Sequence, residues 1–329
     1  MSSAVTLPPG VELCHLPVLR LQHGGELAGA SLAFERQGCK GAPVVVVLGG
    51  ISAGRHASAH AAVPQRGWWE GIVGEGLAVD TQRFQVLAFD WLGGNGASTA
   101  PGPGEAFPFV AAADQAAALW RLCDALGIAN VYALVGSSYG GMVALHAAAQ
   151  SPDRVGRLGV LAAAHRSHPQ ASAWRAVQRG IVELGLRTGE PAAALALARG
   201  LAMTTYRTPG ELGERFAGPG TVAGCDVRFP VQDWLDARGA TFAANWTAEQ
   251  FLCLNRSIDA HQIDPRAVRV PASLLAFAGD QLVPPADVRE LALALPDLRL
   301  HRELRSRYGH DAFLKEVPLV AAFVREVLR

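Results

Sequence analysis

Short, nearly unbroken apolar runs recur along the chain at 43–48, 84–89, 131–135, 158–163 and 273–278, each bounded by turn-forming residues. Helical patterns lie between most of them, for example at 111–126 and 143–150. Apolar runs without alternation predict strands buried on both faces. Their alternation with helices predicts an α/β fold, a mostly parallel central sheet with helices on both sides. Segments 17–22 and 30–36 flank the polar His23-Gly24-Gly25-Glu26, which predicts an antiparallel hairpin at the sheet edge. From about 164 to 269 the strand rhythm stops, and segments rich in alanine, leucine and arginine follow, broken at Pro191, Pro209, Gly218 and Gly220. This predicts a helical lid, 164–269, inserted into a core made of 1–163 and 270–329 and lying over the mouth of the sheet.

The run at 131–135 leads into Leu134-Val-Gly-Ser-Ser-Tyr-Gly-Gly-Met142 and then into a helical stretch. Strand, G-x-S-x-G turn and helix are together the setting of a nucleophile elbow. Gly136 and Gly140 flank Ser138 by two residues on each side, where any Cβ would collide as the chain reverses. Ser137, flanked by Val135 and Tyr139, fits that turn badly, so Ser138 is the candidate nucleophile. The alternative is a glycine-rich loop that binds phosphate or nothing.

A serine hydroxyl is a poor nucleophile until a base takes its proton, and the base works best when a carboxylate fixes its tautomer. In α/β-hydrolases the chain order is serine, acid, histidine. Asp280 follows the run at 273–278 and is the expected acid. Beyond it, His301 sits inside a strand pattern at 298–304, while His310 follows Tyr308-Gly309 in a loop and is the expected base. His146 lies two helical turns past the elbow and is set aside. The oxyanion of a tetrahedral intermediate needs two donors. The Tyr139 amide is one, and Gly50 or Ile51, in the glycine-rich segment after 43–48, offers the other. Asp90, at the end of the run 84–89, is expected to shape its loop rather than take part in chemistry.

Half of the 329 residues are hydrophobic and 18% are charged, enough to bury a sizeable core. The formal net charge is zero, so nothing global points to nucleic acid or a membrane surface. Five cysteines, without C-x-x-C spacing, argue for reduced thiols and against a disulfide framework or zinc site, and no metal or resident cofactor is expected. No apolar run reaches the length of a membrane span and no signal segment is evident, so a soluble, cytoplasmic protein is expected.

Several blocks together resemble the homoserine O-acyltransferases of the α/β-hydrolase superfamily. They are Phe89-Asp-Trp-Leu-Gly-Gly-Asn-Gly-Ala-Ser98 with Pro101, the elbow 136–142, Leu197-Ala-Arg-Gly-Leu-Ala-Met-Thr-Thr-Tyr-Arg207, Gly279-Asp-Gln-Leu-Val-Pro-Pro285, and Tyr308-Gly-His-Asp-Ala-Phe-Leu314. The resemblance runs from about residue 40 to the end. It implies the triad Ser138, Asp280 and His310, with Arg199 and Asp311 contacting the amino-acid substrate. Homoserine is a zwitterion, so a cation for its carboxylate and an anion for its ammonium suit it. The implied reaction is ping-pong transfer from an acyl-CoA co-substrate to L-homoserine, an early step of methionine biosynthesis, in a homodimer formed through the lid. Acetyl transfer, a serine acceptor, or a plain esterase or thioesterase are the alternatives. The early loop departs from the family pattern, reading Val46-Val-Leu-Gly-Gly-Ile-Ser-Ala-Gly-Arg-His56. In the family an arginine close after the catalytic acid marks succinyl use, and Gln281 and Leu282 stand there instead. Arg55 in the unusual loop is the expected cation for a succinyl carboxylate, with Arg175 and Arg179 as further candidates. On that basis succinyl-CoA is narrowly favoured.

Overall fold

Aligned side by side, the expected runs make one eight-stranded sheet in the order 12–20, 26–38, 85–89, 44–48, 133–137, 158–161, 272–278 and 298–305. The computed structural model describes residues 10–329. Its strands are β1 (Glu12–Arg20), β2 (Glu26–Gly38), β3 (Val44–Leu48), β4 (Val73–Gly74), β5 (Val79–Asp80), β6 (Gln85–Phe89), β7 (Ala133–Ser137), β8 (Leu158–Leu161), β9 (Thr221–Ala223), β10 (Asp226–Arg228), β11 (Ala272–Ala278) and β12 (Leu298–Arg305). Its α-helices are α1 (Ala112–Ala125), α2 (Tyr139–Gln150), α3 (Pro169–Thr188), α4 (Pro191–Tyr206), α5 (Pro209–Arg215), α6 (Pro230–Ala243), α7 (Ala248–Asp259), α8 (Pro285–Ala294), α9 (Ala312–Lys315) and α10 (Val317–Val327).

Only β2 runs against its neighbours: it pairs antiparallel with β1 and β6, and every pairing from β6 to β12 is parallel. The β1–β2 hairpin lies at the sheet edge, but β1 starts and ends before the expected 17–22, and β2 runs beyond 30–36 at both ends. In β1 buried Cys14, Leu16 and Leu19 are separated by exposed residues, a pattern too sparse to read as an apolar run. Successive strand residues point to opposite faces. Accordingly Val44, Val46 and Leu48 pack in one core with α1, α2 and α8, whereas Val45 and Val47 pack in a second with α10 and with Trp69 and Ile72. Covering both faces explains why these strands read as continuous apolar runs.

Between β8 and β11 the chain leaves the sheet and builds α3 to α7. The breaks read at Pro191 and Pro209 are helix starts, as are Pro169 and Pro230: proline is tolerated in a first turn, whose amides have no intrahelical acceptor. The glycines at 218 and 220 lead instead into a small exposed ribbon, β9 paired with β10. The helical layer enters and leaves the core at one place. Arg166 and Gln262 form an antiparallel bridge there, and the Ile263 amide donates to the His165 carbonyl at 2.9 Å. Buried His261 fastens that junction, with Nε2 2.9 Å from the Ala164 carbonyl and Nδ1 3.2 Å from Nε2 of His146 on α2. Burial draws the His146 and His261 rings down to about 4 and about 3, so both are neutral near pH 7. No described helix is long and apolar enough to cross a membrane.

Candidate active site

The carboxyl ends of β7 and β11 and the loop after β12 converge below the helical layer. Ser138 follows β7 and caps α2 with φ of 53° and ψ of −123°, the sharp reversal that the glycine spacing requires. A Cβ on Gly136 would run into the Gly140 carbonyl, and one on Gly140 into the Leu48 carbonyl, so neither position has room for a side chain. The Ser138 amide donates to the Leu161 carbonyl at 2.9 Å, which fixes the elbow to β8.

Ser138 Oγ lies 2.7 Å from His310 Nε2, and His310 Nδ1 lies 2.7 Å from Asp280 Oδ2. The other Asp280 oxygen accepts the amides of Leu282 at 2.9 Å and Val283 at 3.0 Å, which orients the carboxylate from behind. Gly309, at φ of 56°, precedes the histidine where α4 ends. A Cβ there would sit 2.9 Å from the Tyr206 carbonyl, so only glycine lets this loop approach so closely. The sequence-predicted trio is therefore one hydrogen-bonded chain, with Asp280 and His310 both buried. His301 stays in β12 and His146 stays with His261, away from Ser138.

Burial works against a charged His310 ring. The Asp280 carboxylate and its hydrogen bond, helped by Asp311, outweigh that effect and hold the group above its ordinary value. A general base works in its neutral form, so the rate falls once pH drops through this raised value. The acid limb of any reaction in which His310 takes the Ser138 proton is accordingly expected above pH 6.5, and to move to lower pH in Asp311→Asn. A stopped-flow pH profile checks both, and a limb unmoved in the variant removes Asp311 from the account.

Above the trio lies a cavity of about 300 Å³, lined in part by Gly50, Ile51, Ser138 and Leu282 and by Arg175, Arg199 and Asp311. Arg199, on α4, is flanked by aromatic faces, its guanidinium carbon 5.3 Å from the Tyr206 ring centre and 4.7 Å from that of Phe242. Asp311 is less free than the sequence suggests: Arg207 Nη2 lies 3.0 Å from its Oδ2, and Arg207 also reaches Glu211 at 3.5 Å. Burial pushes the Asp311 carboxyl up, with Arg207, His310 and Arg199 opposing. Arg207 ended one of the blocks singled out above, but only folding brings it to Asp311.

The expectation for Arg55 is corrected. Its guanidinium is engaged by Asp90 Oδ2 and its amide donates to Asp90 Oδ1 at 2.8 Å, so its side chain holds the loop and does not line the cavity. Asp90 has the structural part expected of it, also accepting the Ala97 amide at 2.8 Å. Of the three arginines read from the sequence as acyl cations, Arg175 is the one that lines the cavity, alongside Arg199 and Arg166, and it is held at 2.6 Å by Asp259. Arg179 binds the same carboxylate, so two guanidiniums share one anion.

The chain matches the family model for the alpha/beta hydrolase fold over residues 43–317. It is 44% identical to a homoserine O-succinyltransferase of Xanthomonas campestris pv. campestris over 98% of this chain and 85% of that protein. It belongs to the homoserine O-acyltransferase family. Within the family it is also 33% identical to a homoserine O-acetyltransferase of Thermobifida fusca, over 98% of this chain and 94% of the other. The solved homoserine O-acetyltransferase from Bacillus anthracis shares the fold, with a TM-score of 0.89 at 19% identity and 98% of each chain covered. As a family member the chain is an O-acyltransferase.

Proposed function

We propose that this acyltransferase moves an acyl group from acyl-CoA to the hydroxyl of L-homoserine by way of Ser138, the product serving methionine biosynthesis. The observation that carries the reading is the Ser138–His310–Asp280 chain opening into a cavity that also holds Arg199 and Asp311. His310 takes the Ser138 proton as Oγ bonds to the thioester carbon. The C–S bond then breaks, and the leaving thiolate takes that proton. In the second half His310 deprotonates the homoserine hydroxyl, which attacks the acyl-enzyme and returns Ser138. Arg199 takes the homoserine carboxylate and Asp311 its ammonium. The helical layer acts as a lid that keeps water from the acyl-enzyme.

The Tyr139 and Ile51 amides form the oxyanion hole in this reading. Support for Ile51 over Gly50 comes from the peptide joining them: the Gly50 carbonyl accepts Trp91 Nε1 at 3.0 Å and the Ala53 amide at 2.9 Å. In a planar trans peptide the N–H points opposite to the C=O, so the Ile51 amide faces away from Trp91.

Succinyl-CoA is the donor we favour, with Arg175 in the part first given to Arg55. Two guanidiniums on one Asp259 leave positive charge beside the cavity, which suits a second carboxylate and gives an acetyl group nothing. Leu282, also lining the cavity, offers the acyl chain an apolar wall. The test is kcat/KM for succinyl-CoA and acetyl-CoA with homoserine and with serine, in wild type and Arg175→Met. Wild type is expected to prefer succinyl-CoA and homoserine, and the variant to lose at least about tenfold with succinyl-CoA while changing little with acetyl-CoA. A wild-type preference for acetyl-CoA overturns the donor, and hydrolysis that outruns transfer overturns the transferase. We also propose a homodimer through the helical layer, where Val177, Leu184 and Leu197 are exposed. Sedimentation as a monomer at micromolar concentration would remove it.

A further inference from the structure

On the opposite flank of the early loop, one buried carboxylate carries two imidazoles. Glu35 of β2 is 4% exposed, and its Oε1 lies 2.9 Å from His56 Nδ1 and 2.8 Å from His60 Nε2. His56 Nε2 lies 2.7 Å from the Gln65 carbonyl oxygen, which only accepts, so that nitrogen carries hydrogen. A neutral imidazole has a single N–H. His56 Nδ1 would then turn a lone pair on a carboxylate oxygen, and that contact is repulsive unless a cation lies between them.

We propose that Glu35, His56 and His60 bind one divalent first-row transition metal ion, zinc being the best match. Each residue offers one ligand atom, and all three atoms lie within 4.8 Å of one another. Two imidazole nitrogens with one carboxylate oxygen suit zinc, cobalt or nickel, whereas magnesium and calcium take oxygen donors. The bond from His56 Nε2 to the Gln65 carbonyl is the outer partner that a metal-bound histidine needs to fix its tautomer. A tetrahedron with bonds of about 2.1 Å has edges of about 3.4 Å, so the N···O separations must open by about half an ångström. The backbones of His56 and His60 are held by Trp68 and Val63, so rotation of the two imidazole side chains supplies that movement. His60 also borders a solvent-open cleft with Gly10 and Glu12, which provides an entry path and room for a water ligand. The scattered cysteines, read above as evidence against zinc, do not bear on a site made of histidine and glutamate. Once bound, the ion would staple the loop that carries Ile51 to β2.

The test uses the full chain, treated with chelator and then titrated with zinc chloride at pH 7.5 by calorimetry, with bound metal counted by mass spectrometry. The expected result is a site of one equivalent with a micromolar or tighter Kd, and a thermal midpoint raised by zinc but not by magnesium. His60→Ala, in the loop, is expected to weaken that site about tenfold to 100-fold with unchanged circular dichroism. Glu35→Gln, which keeps the size of the buried side chain, should weaken it similarly. Cys39 and Cys225 are exposed thiols, so zinc that binds wild type and both variants equally lies elsewhere and overturns the proposal. Absence of wild-type binding below millimolar zinc also overturns it.

Discussion

Ser138→Ala is expected to leave a folded protein whose acyl transfer is slower by about four to six orders of magnitude. Among the described residues Oγ is the only hydrogen-bond partner of His310 Nε2, so without it the histidine has no nucleophile to activate. Alanine keeps the Cβ, and the unusual backbone angle is set by the β7–α2 junction and the bond to Leu161, so stability should change by less than about 1 kcal/mol. Asp280→Asn tests the other end of the chain. Two backbone amides already donate to Oδ1, so the carboxamide oxygen stays there and its NH2 turns towards His310 Nδ1. The histidine then takes the wrong tautomer, with Nε2–H facing the serine, at a cost of about 10⁴-fold. CoA release followed with a thiol reagent, alongside thermal melts, checks both. Near wild-type turnover in Ser138→Ala would refute the covalent route.

Arg199→Ala is expected to separate the two half-reactions. Acylation by acyl-CoA does not involve the homoserine carboxylate, so a burst of CoA equal to the enzyme should survive. Turnover with homoserine should fall by about 10²-fold to 10³-fold in kcat/KM, because the substrate carboxylate would be desolvated without its partner. Arg199→Lys should recover little, since a point charge cannot reproduce a planar fork lying between Tyr206 and Phe242. Asp311→Asn should share the loss with homoserine and also shift the acid limb through its effect on His310, so the two variants differ in pH profile. Loss of the burst in Arg199→Ala would move that residue out of acceptor binding and into the first step or the fold.

The frame of this protein could be read from its sequence because burial on both faces leaves a strong signal in each strand. The elbow and Asp280 could be read because they end such strands, and His310 because only one other histidine follows Asp280. The small pairs β4–β5 and β9–β10 escaped, since strands of two or three residues carry no usable period. Side-chain direction was the harder matter. Arg55 adjoins the oxyanion segment in sequence, yet Asp90 draws it aside. Neither the Arg207–Asp311 pair nor the sharing of Asp259 by Arg175 and Arg179 has a local signature, because each joins residues far apart along the chain. The Glu35 cluster was missed for the same reason: a strand residue and two loop histidines form no spaced motif.

The bridge between Arg166 and Gln262 has a consequence for how such a protein diversifies. Paired segments lie only about 5 Å apart, so the whole stretch from α3 to α7 leaves and rejoins the core through a doorway one strand spacing wide. A short turn across that doorway would close the chain at little entropic cost. No strand of the eight-stranded sheet would lose a neighbour. The helices are thus a cassette joined to the sheet through one doorway, whose remodelling leaves Ser138 on its strand but must keep the end of α4 that packs on the His310 loop. Arg175 and Arg199 travel with the cassette, and Ser138 stays behind. Selection acting on one side of the doorway can remodel the charged lining of the cavity while the strand that carries Ser138 is left as it is.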